Sequence, residues 1–218
     1  MIWLIVGVLV LGMGIVAYFL LRDSSEPTPS ETPTISATPV PTATPFGFRQ
    51  IFNVQGALSG NLDEAIGNQA LGVDEVRTFT VDSLGIGMPT DLTNTLDQSE
   101  PTYVILFGKP NGSKGRGFAR KISDPARAIT ALATWESTMA QDVASFLKID
   151  PKRATSRTFA SNLYQGVTVK YRNFPDAFNS VDYAIVNLPD DSSYLVVTNS
   201  RDHMFAVIDR AVGVVLGK

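Results

Sequence analysis

The sequence predicts an α+β domain in which two or three helices pack on a mainly antiparallel sheet. Segments rich in β-branched and aromatic residues occur in two groups, and a helical pattern follows each group. Short polar turns separate the segments within a group, and such hairpin connections favour antiparallel pairing because parallel strands need long crossovers. From this order of elements we expect the helices to lie on one face of the sheet.

Six segments carry the strand signal. The run TYVILFG at 102–108 is almost continuously apolar, which predicts a central strand that is buried on both faces. The segment at 76–83 alternates and is rich in β-branched residues, as strands are. The predicted strands are 76–83, 102–108, 117–123, 167–174, 181–188 and 194–200.

The clearest helix signal covers residues 124–150. Asp124 is a good N-cap residue, Pro125 suits the first turn, and Pro151 ends the pattern. A break near Thr134 would divide this segment into two helices. The expected core-facing stripe recurs at three- and four-residue steps and consists of Ile129, Leu132, Trp135, Met139, Val143 and Phe146.

A closing helix is predicted over 201–216, with Asp202 as its N-cap. The two groups of elements then resemble each other, which suggests two ββα pseudo-repeats. VRTF at 76–79 matches SRTF at 156–159, and Tyr103 matches Tyr183, both at an offset of 80 residues. Shared secondary structure is the alternative explanation, because any two such units have similar patterns.

The chain divides into a predicted transmembrane anchor at 1–22, a disordered stalk at 23–45 and a globular domain at 46–218. Residues 2–21 carry no charge, and as a helix with a rise of about 1.5 Å per residue they would span a hydrocarbon core of about 30 Å. We favour an uncleaved anchor over a cleaved signal peptide, because bulky residues at 18–21 replace the small residues of a cleavage site. The lipid bilayer is therefore an expected partner through residues 2–21.

The segment at 24–45 alternates prolines with threonines and has too few large apolar side chains to repay the entropy of folding. Such composition predicts a semi-stiff stalk that holds a domain away from a membrane surface. A disordered linker on either side of the membrane is the alternative, and Arg22 favours the inward orientation by the positive-inside rule. We favour an extracytoplasmic domain, located at the cell membrane.

Composition excludes several classes of function. The chain has 18 basic and 21 acidic residues, and this balance gives no reason to expect a nucleic-acid partner. It has no cysteine and one histidine, His203, which removes thiolate chemistry and the usual metal sites. No cofactor motif is present, so we expect neither a cofactor nor a metal.

The glycine-rich loop FGKPNGSKGRG at 107–117 resembles a phosphate-binding loop only superficially. A Walker loop has four residues between its glycines, then Lys-Ser or Lys-Thr and a helix. Here three residues separate Gly108 from Gly112, a strand follows, and Asn111-Gly112 predicts a type I′ hairpin turn. A solvated hairpin is the favoured interpretation. A basic tip that contacts anionic lipid or a cell-wall polymer is the alternative, with Lys109, Lys114, Arg116 and Arg120 as candidate ligand-binding residues.

Ser200, Asp202 and His203 are the candidates for catalysis. A general base needs a nucleophile and an orienting acid beside it, and these residue types supply both. However, adjacent residues rarely form a triad, and no G-x-S-x-G elbow is present. We therefore expect no catalytic site, and an envelope hydrolase that uses Ser200 and His203 with a carboxylate is the alternative.

Four stretches carry a resemblance to a group of known proteins: TWESTMAQDVASFL, VKYRNFPD, SVDYAIVNL and YLVVTNSRDHMFAVID. The chain resembles uncharacterised bacterial single-pass membrane proteins with an N-terminal span, a Pro/Thr-rich stalk and one α+β ectodomain. The resemblance implies this architecture and an envelope location, and it assigns no activity and no functional residue.

The sequence favours a membrane-anchored, extracytoplasmic domain that binds or scaffolds another component of the bacterial cell envelope. The expected partner is another envelope protein or an anionic surface polymer. A subunit of a secretion or pilus assembly is a further alternative.

Overall fold

The computed structural model describes residues 47–215 of the chain. The anchor predicted at 1–22 and the stalk predicted at 23–45 lie outside these residues. Within the described range, no helix has both the length and the apolar character that a membrane crossing requires.

An antiparallel sheet of seven strands forms the centre of the described domain, which confirms the predicted α+β class. The strands are β1 (Val76–Val81), β2 (Thr102–Gly108), β3 (Lys114–Ile122), β4 (Ala160–Tyr164), β5 (Val167–Asn173), β6 (Ser180–Asn187) and β7 (Ser193–Thr198). They lie in the order β1-β2-β3-β7-β6-β5-β4. Two consecutive meanders therefore meet where β3 pairs with β7.

Helices of very different lengths accompany the sheet. They are α1 (Phe48–Ile51), α2 (Leu62–Gly67), α3 (Thr90–Thr93), α4 (Pro125–Trp135), α5 (Met139–Asp142), α6 (Ala144–Leu147) and α7 (Arg201–Val215), with a 3₁₀ turn at Pro151–Arg153. Only α4 and α7 exceed two turns in the described part, so these two supply the long helical faces that cover the sheet.

Helices cover both faces of the sheet, so the expectation of one covered face is wrong. Val104 of β2 packs in one hydrophobic core with Leu132 of α4. Its neighbour Ile105 packs in a second core with Met204 of α7. Because alternate residues of a strand point to opposite sides, we call these sides the α4 face and the α7 face. β2 is buried along its whole length, as predicted.

The last residues of β3 and β7 show why α4 and α7 pack on opposite faces of the sheet. Two residues join β3 to α4, and two residues join β7 to α7. β3 ends at Ile122, which belongs to the core of the α4 face. β7 ends at Thr198, which follows Val197 of that same core and so points to the α7 face. After so short a connection, the helix packs on the side to which the last strand residue points.

The β2–β3 hairpin is confirmed, but its turn is not the predicted type I′. Lys109 N–H donates to the Ser113 carbonyl at 3.0 Å, and Gly112 N–H donates to the Lys109 carbonyl at 2.9 Å. Gly112 has a φ of +79°, whereas Asn111 does not have a positive φ. This is a three-residue loop in which a type I turn precedes a left-handed glycine. Pro110 favours it, because its fixed φ suits the first central position of a type I turn.

The β6–β7 hairpin has the same turn with different residues. Leu188 N–H donates to the Ser192 carbonyl at 2.8 Å, and Asp191 N–H donates to the Leu188 carbonyl at 3.0 Å. Asp191 takes the left-handed position, with a φ of +63°. The two ββα units thus share their turn geometry.

The offset of 80 residues does not describe this similarity. Equivalent turn residues lie 79 apart in the sequence, and SRTF at 156–159 precedes β4 rather than forming a strand. Tyr103 belongs to the core of the α7 face and Tyr183 to that of the α4 face, so they are not equivalent. An internal duplication stays a prediction.

The helix predicted over 124–150 is three helices in the structure. The Asp124 carboxylate caps α4 by accepting from Arg127 N–H, and α4 ends at Trp135, close to the predicted break. The predicted stripe is buried except for Ile129, which is 62% exposed. The adjacent Ala128 takes the core position instead.

The two edges of the sheet differ. Gln55 N–H donates to the Thr78 carbonyl at 2.9 Å, and Leu58 N–H donates to the Thr80 carbonyl at 2.8 Å, so residues 55–58 cover the outer edge of β1. At the other end, β4 pairs only with β5 among the described residues. The sequence did not predict β4, because ASNLY lacks the β-branched residues typical of strands.

Candidate functional site

Polar side chains are buried together on the α7 face, under the first turn of α7. We call them the buried polar cluster, and its members are Lys109, Ser180, Asp182, Thr198, Ser200 and His203. The cluster draws on the end of β2, on β6, on the end of β7 and on the start of α7. Because burial of polar groups is costly unless they are hydrogen-bonded, each member needs a physical account.

Two glycines of the predicted loop make room for His203. A Cβ atom on Gly115 would lie 3.2 Å from His203 Nδ1, and a Cβ atom on Gly117 would lie 2.9 Å from His203 Cε1. The imidazole also stacks on Phe107, with 5.4 Å between the ring centroids. The glycines of β3 therefore allow the close approach of a ring, and no phosphate is needed to explain them.

His203 has no proton-transfer partner in the part of the chain that the structure describes. Its side chain is fully buried, and neither ring nitrogen has a hydrogen-bond partner there. Burial, and to a smaller extent the charge of Lys109, lowers the pKa of His203 to about 3, so the ring is neutral at pH 7. A general base must lie within hydrogen-bond reach of the proton that it removes. The buried imidazole does not meet that requirement.

Ser200 and Asp202 do not complete a triad with His203. The Ser200 hydroxyl accepts a 3.4 Å hydrogen bond from the His203 backbone N–H, and the Ser200 carbonyl accepts one of 3.1 Å from Met204 N–H. Ser200 is therefore the N-cap of α7, and the prediction that Asp202 has this role is wrong. Asp202 is exposed in the first turn. The Ser200 hydroxyl thus contacts the backbone of His203 and not its imidazole ring.

Lys109 lies inside the domain. It is 3% exposed, and its ammonium group donates to the Phe178 carbonyl at 2.7 Å and to the Asn179 side-chain oxygen at 3.0 Å. Burial lowers the pKa of Lys109 to about 8, although Asp176 and Asp202 oppose this effect. Lys109 therefore ties the end of β2 to the loop before β6.

The other three cations of the predicted basic tip also contact the protein itself. Lys114 donates to the last two carbonyl groups of α2. Arg116 pairs with Asp63, also in α2, at 2.5 Å. Arg120 donates to the Gln98 side chain at 3.4 Å. The structure therefore does not gather these residues into an exposed basic tip.

Asp182 is a buried carboxylate near the start of β6. It is fully buried, and neither of its oxygens has a hydrogen-bond partner among the described residues. Burial raises the pKa of Asp182 to about 6, while the nearby Ser180 hydroxyl and the charge of Arg201 oppose the rise. The only signal in the sequence is an aspartate within the apolar strand VDYAIV, which is too common a pattern to mark a site.

A cavity of about 230 Å³ adjoins the buried polar cluster, since Asn179 lines it and also accepts from Lys109. It is lined by Lys148, Ile149, Asp150, Arg153, Phe174, Pro175, Asp176 and Asn179. Lys148 is paired with Asp63 at 2.6 Å. Arg153 has no ion pair within the described range, so it is the cation through which the cavity can attract an anion.

Positive charge is concentrated around this cavity and β4. The stretch from 151 to 175, which we call the basic segment, has no acid and contains Lys152, Arg153, Arg157, Lys170 and Arg172. The three cations before β4 are exposed and have no ion pair within residues 47–213. Arg172 Nε donates to the Ser156 carbonyl at 2.8 Å, which draws the two ends of the segment together. The sequence spreads these cations over a 3₁₀ turn, a loop and β5, so the approach of the two ends of the segment emerges only on folding.

No group of three or more histidine, aspartate or glutamate side chains in the described part could hold a metal ion. Comparison of the chain with protein-family models, curated proteins and solved structures finds no match. Its function must therefore be inferred from geometry and charge.

We expect Gly117→Ala to destabilise the protein. The new Cβ would lie 2.8 Å from the Val197 carbonyl oxygen and 2.9 Å from the His203 ring, and such overpacking costs about 1–3 kcal/mol. Urea unfolding of the full chain measures the loss. Gly87→Ala is the matched control, because no atom lies within 4 Å of its Cβ position. Equal stability of the two variants would show that β3 does not need glycine beside His203.

The pH dependence of stability should reveal two opposed buried groups. The pKa of Asp182 rises from 3.8 to about 6 on folding, so its contribution to stability decreases as pH rises through this interval. The pKa of His203 falls from 6.5 to about 3 on folding, so its contribution increases with pH over that interval. Between about pH 4 and about pH 6 the two effects offset each other.

Asp182→Asn removes the carboxylate at position 182 and leaves the His203 imidazole in place. The free energy of unfolding of this variant, relative to the native chain, should increase from about pH 4 to about pH 6. The increase is at most about 3 kcal/mol, since one pKa unit is worth about 1.4 kcal/mol. Urea unfolding at several pH values measures it, and Asp91→Asn, which removes an exposed carboxylate of α3, is the control. A difference that stays constant with pH would contradict a raised pKa at Asp182.

Proposed function

We propose that this chain is a membrane-anchored protein of the bacterial cell envelope whose globular domain binds an anionic partner outside the cytoplasm. The observation that carries the binding role is the uncompensated positive charge of the basic segment, in which Lys152, Arg153 and Arg157 are exposed and unpaired within residues 47–213. Such a surface raises the association rate of an anionic partner and discriminates against cationic ones.

The cavity offers a place where an anionic group can be held. Arg153 can donate two parallel hydrogen bonds to a carboxylate or a phosphate, and Ile149 and Phe174 supply apolar lining. The two carboxylates that line the cavity, Asp150 and Asp176, already accept hydrogen bonds from nearby N–H groups. Asp150 accepts from Lys152 N–H at 3.1 Å, and Asp176 accepts from the amide groups of two neighbouring residues, each at 2.9 Å. The positive charge of the buried Lys109 ammonium also acts on Asp176 and opposes the repulsion of an anion by that carboxylate.

The envelope location rests on the sequence. The uncharged run at 2–21 is long enough for a membrane span, and the Pro/Thr-rich stretch at 24–45 is typical of stalks. The resemblance to bacterial single-pass membrane proteins points to the same location. The partner would then be another envelope protein or an anionic surface polymer, and the bilayer would hold residues 2–21.

Binding is favoured over the hydrolase alternative. A hydrolase would need the Ser200 hydroxyl and the His203 imidazole to share a proton. In the described part of the chain, that hydroxyl caps α7 and the imidazole nitrogens have no partner. Ser200 and His203 therefore do not form the nucleophile and base that a hydrolase requires.

The full chain in detergent micelles should bind dextran sulfate and should not bind uncharged dextran. Binding should weaken as salt is added, because exposed charges are screened over about 10 Å at 0.1 M salt. Arg153→Glu should reduce the affinity about fivefold or more, since a cation that faces an anionic surface contributes about 1 kcal/mol. Fluorescence anisotropy of labelled dextran sulfate measures both effects.

Arg127→Glu is the control for this binding experiment. Arg127 is exposed on α4, outside the basic segment, and the substitution changes the net charge by the same amount. If both variants lose affinity equally, binding follows net charge alone and the basic segment is not the binding surface.

Protease accessibility tests the location. When protease is added to intact bacterial cells whose outer wall layers have been removed, the globular domain should be digested while a cytoplasmic marker protein survives. Digestion of both proteins after lysis is the control. A domain that is protected until lysis would lie in the cytoplasm, which would contradict the proposed location.

A further inference from the structure

We propose that β4 is a docking edge for an extended, acidic segment of a partner protein, which adds to the sheet as an eighth strand. This inference rests on the proposed function and names the class of the anionic partner. Five features of the described residues support it: the orientation of the main-chain groups of β4, its attachment to α7, its uncharged sequence, its exposed leucine and the surrounding cations.

The main-chain groups of β4 offer unused hydrogen bonds. Gln165-Gly166 joins β4 to β5, and the φ angles of these two residues are +49° and +80°, as in a type I′ turn. The residues that flank such a turn, Tyr164 and Val167, exchange main-chain hydrogen bonds. The alternation of an antiparallel ladder then directs the N–H and C=O groups at positions 161 and 163 away from β5. No main-chain group of the described range bonds to them.

The edge is held rigidly enough to receive a strand. The Tyr164 ring stacks on Phe205 of α7 with 3.7 Å between centroids, and the Tyr164 hydroxyl donates to Asp209 of α7 at 2.9 Å. These contacts fix the β4–β5 hairpin on the α7 face. An edge that is already ordered loses less conformational entropy when a partner strand binds.

The sequence of β4 lacks the features that normally prevent edge pairing. Natural edge strands are protected by charged side chains, by proline or by a covering segment, as residues 55–58 cover β1. ASNLY contains no charge and no proline. Leu163 is 69% exposed. It lies on the α4 face, opposite Tyr164, where it can contact an alternate side chain of an added strand.

The surrounding cations select an acidic occupant. Lys170 of β5 pairs in register with Ser161 of β4 and shares its face, and Arg157 precedes β4 by three residues. Lys170 lies 3.9 Å from the Glu136 carboxylate, whereas Arg157 has no ion pair among the described residues, and the segment from 151 to 175 contains no acid. A second copy of this chain would bring an identical basic segment to the edge and would be repelled. An acidic strand gains both main-chain hydrogen bonds and charge complementarity.

A peptide of eight alternating glutamate and valine residues, labelled with a fluorophore, tests the proposal on the full chain in detergent micelles. Fluorescence anisotropy should show binding of this peptide. The same peptide with every main-chain nitrogen methylated keeps its charges but has no N–H donors, and we expect it to bind at least about tenfold more weakly. Equal affinity of the two peptides would overturn strand addition.

Leu163→Pro is the matching change in the protein. Proline at this position removes an N–H that points away from β5, so the β4–β5 ladder keeps its hydrogen bonds. Peptide affinity should fall at least about tenfold, while dextran sulfate affinity stays unchanged. Leu163→Thr keeps the N–H and controls for the loss of the leucine side chain. If the proline variant fails to fold, the two peptides on the native chain still decide the question.

The outcomes separate this inference from the proposed function. If dextran sulfate binds and the methylated and unmethylated peptides have equal affinity, strand addition is wrong and the proposed anion binding is supported. If neither dextran sulfate nor the peptide binds, both proposals fail. Light scattering of the full chain tests the remaining alternative. If the chain forms a dimer that Leu163→Pro abolishes, a second copy occupies the edge, and the proposal of an acidic partner is wrong.

Discussion

The burial of the inner strands on both faces is the constraint on which the rest of the structure depends. Every residue of β2 and of β7 is buried, so the sheet needs a hydrophobic cover on each side. One long helix supplies each cover, α4 on one face and α7 on the other. The two-residue connections from β3 and β7 achieve this because their last strand residues point to opposite sides. The short helices and loops then fill what the two long helices leave uncovered.

The α7 face must also accommodate polar groups where the helix begins. His203 fits there only because β3 has glycines at positions 115 and 117, and the low pKa of the ring keeps it neutral. Asp182 is buried without a hydrogen-bond partner among the described residues, at a cost that its raised pKa reflects. Lys109 differs from these two groups, because its buried ammonium group is stabilised by hydrogen bonds to the loop before β6.

The surface that we propose for binding lies elsewhere, at the β4 end of the sheet. There the helices cover the strands less completely: β4 is mostly exposed, β5 is mostly half-buried, and both strands lie within the basic segment. Charge attracts an anionic partner from a distance, whereas unpaired main-chain groups add geometric selectivity at contact. The two properties coincide at one edge of the sheet, while residues 55–58 cover the other. The two edges of the sheet therefore differ: one is covered by the chain itself, and the other carries the surface that we propose for binding.

Local signals in the sequence predicted six of the seven strands, the β2–β3 and β6–β7 hairpins, the Asp124 cap and the class of the fold, because each depends on neighbouring residues. They also provide the whole basis for the predicted anchor and stalk, which lie outside the described residues. Only the tertiary structure decided which face each helix covers, that Lys109 is buried and that Ser200 rather than Asp202 caps α7. It also decided that the cations of the basic segment lie beside a strand that pairs on one side only among the described residues. These properties depend on packing between residues that are distant in the chain, and periodicity along a sequence carries no information about such packing.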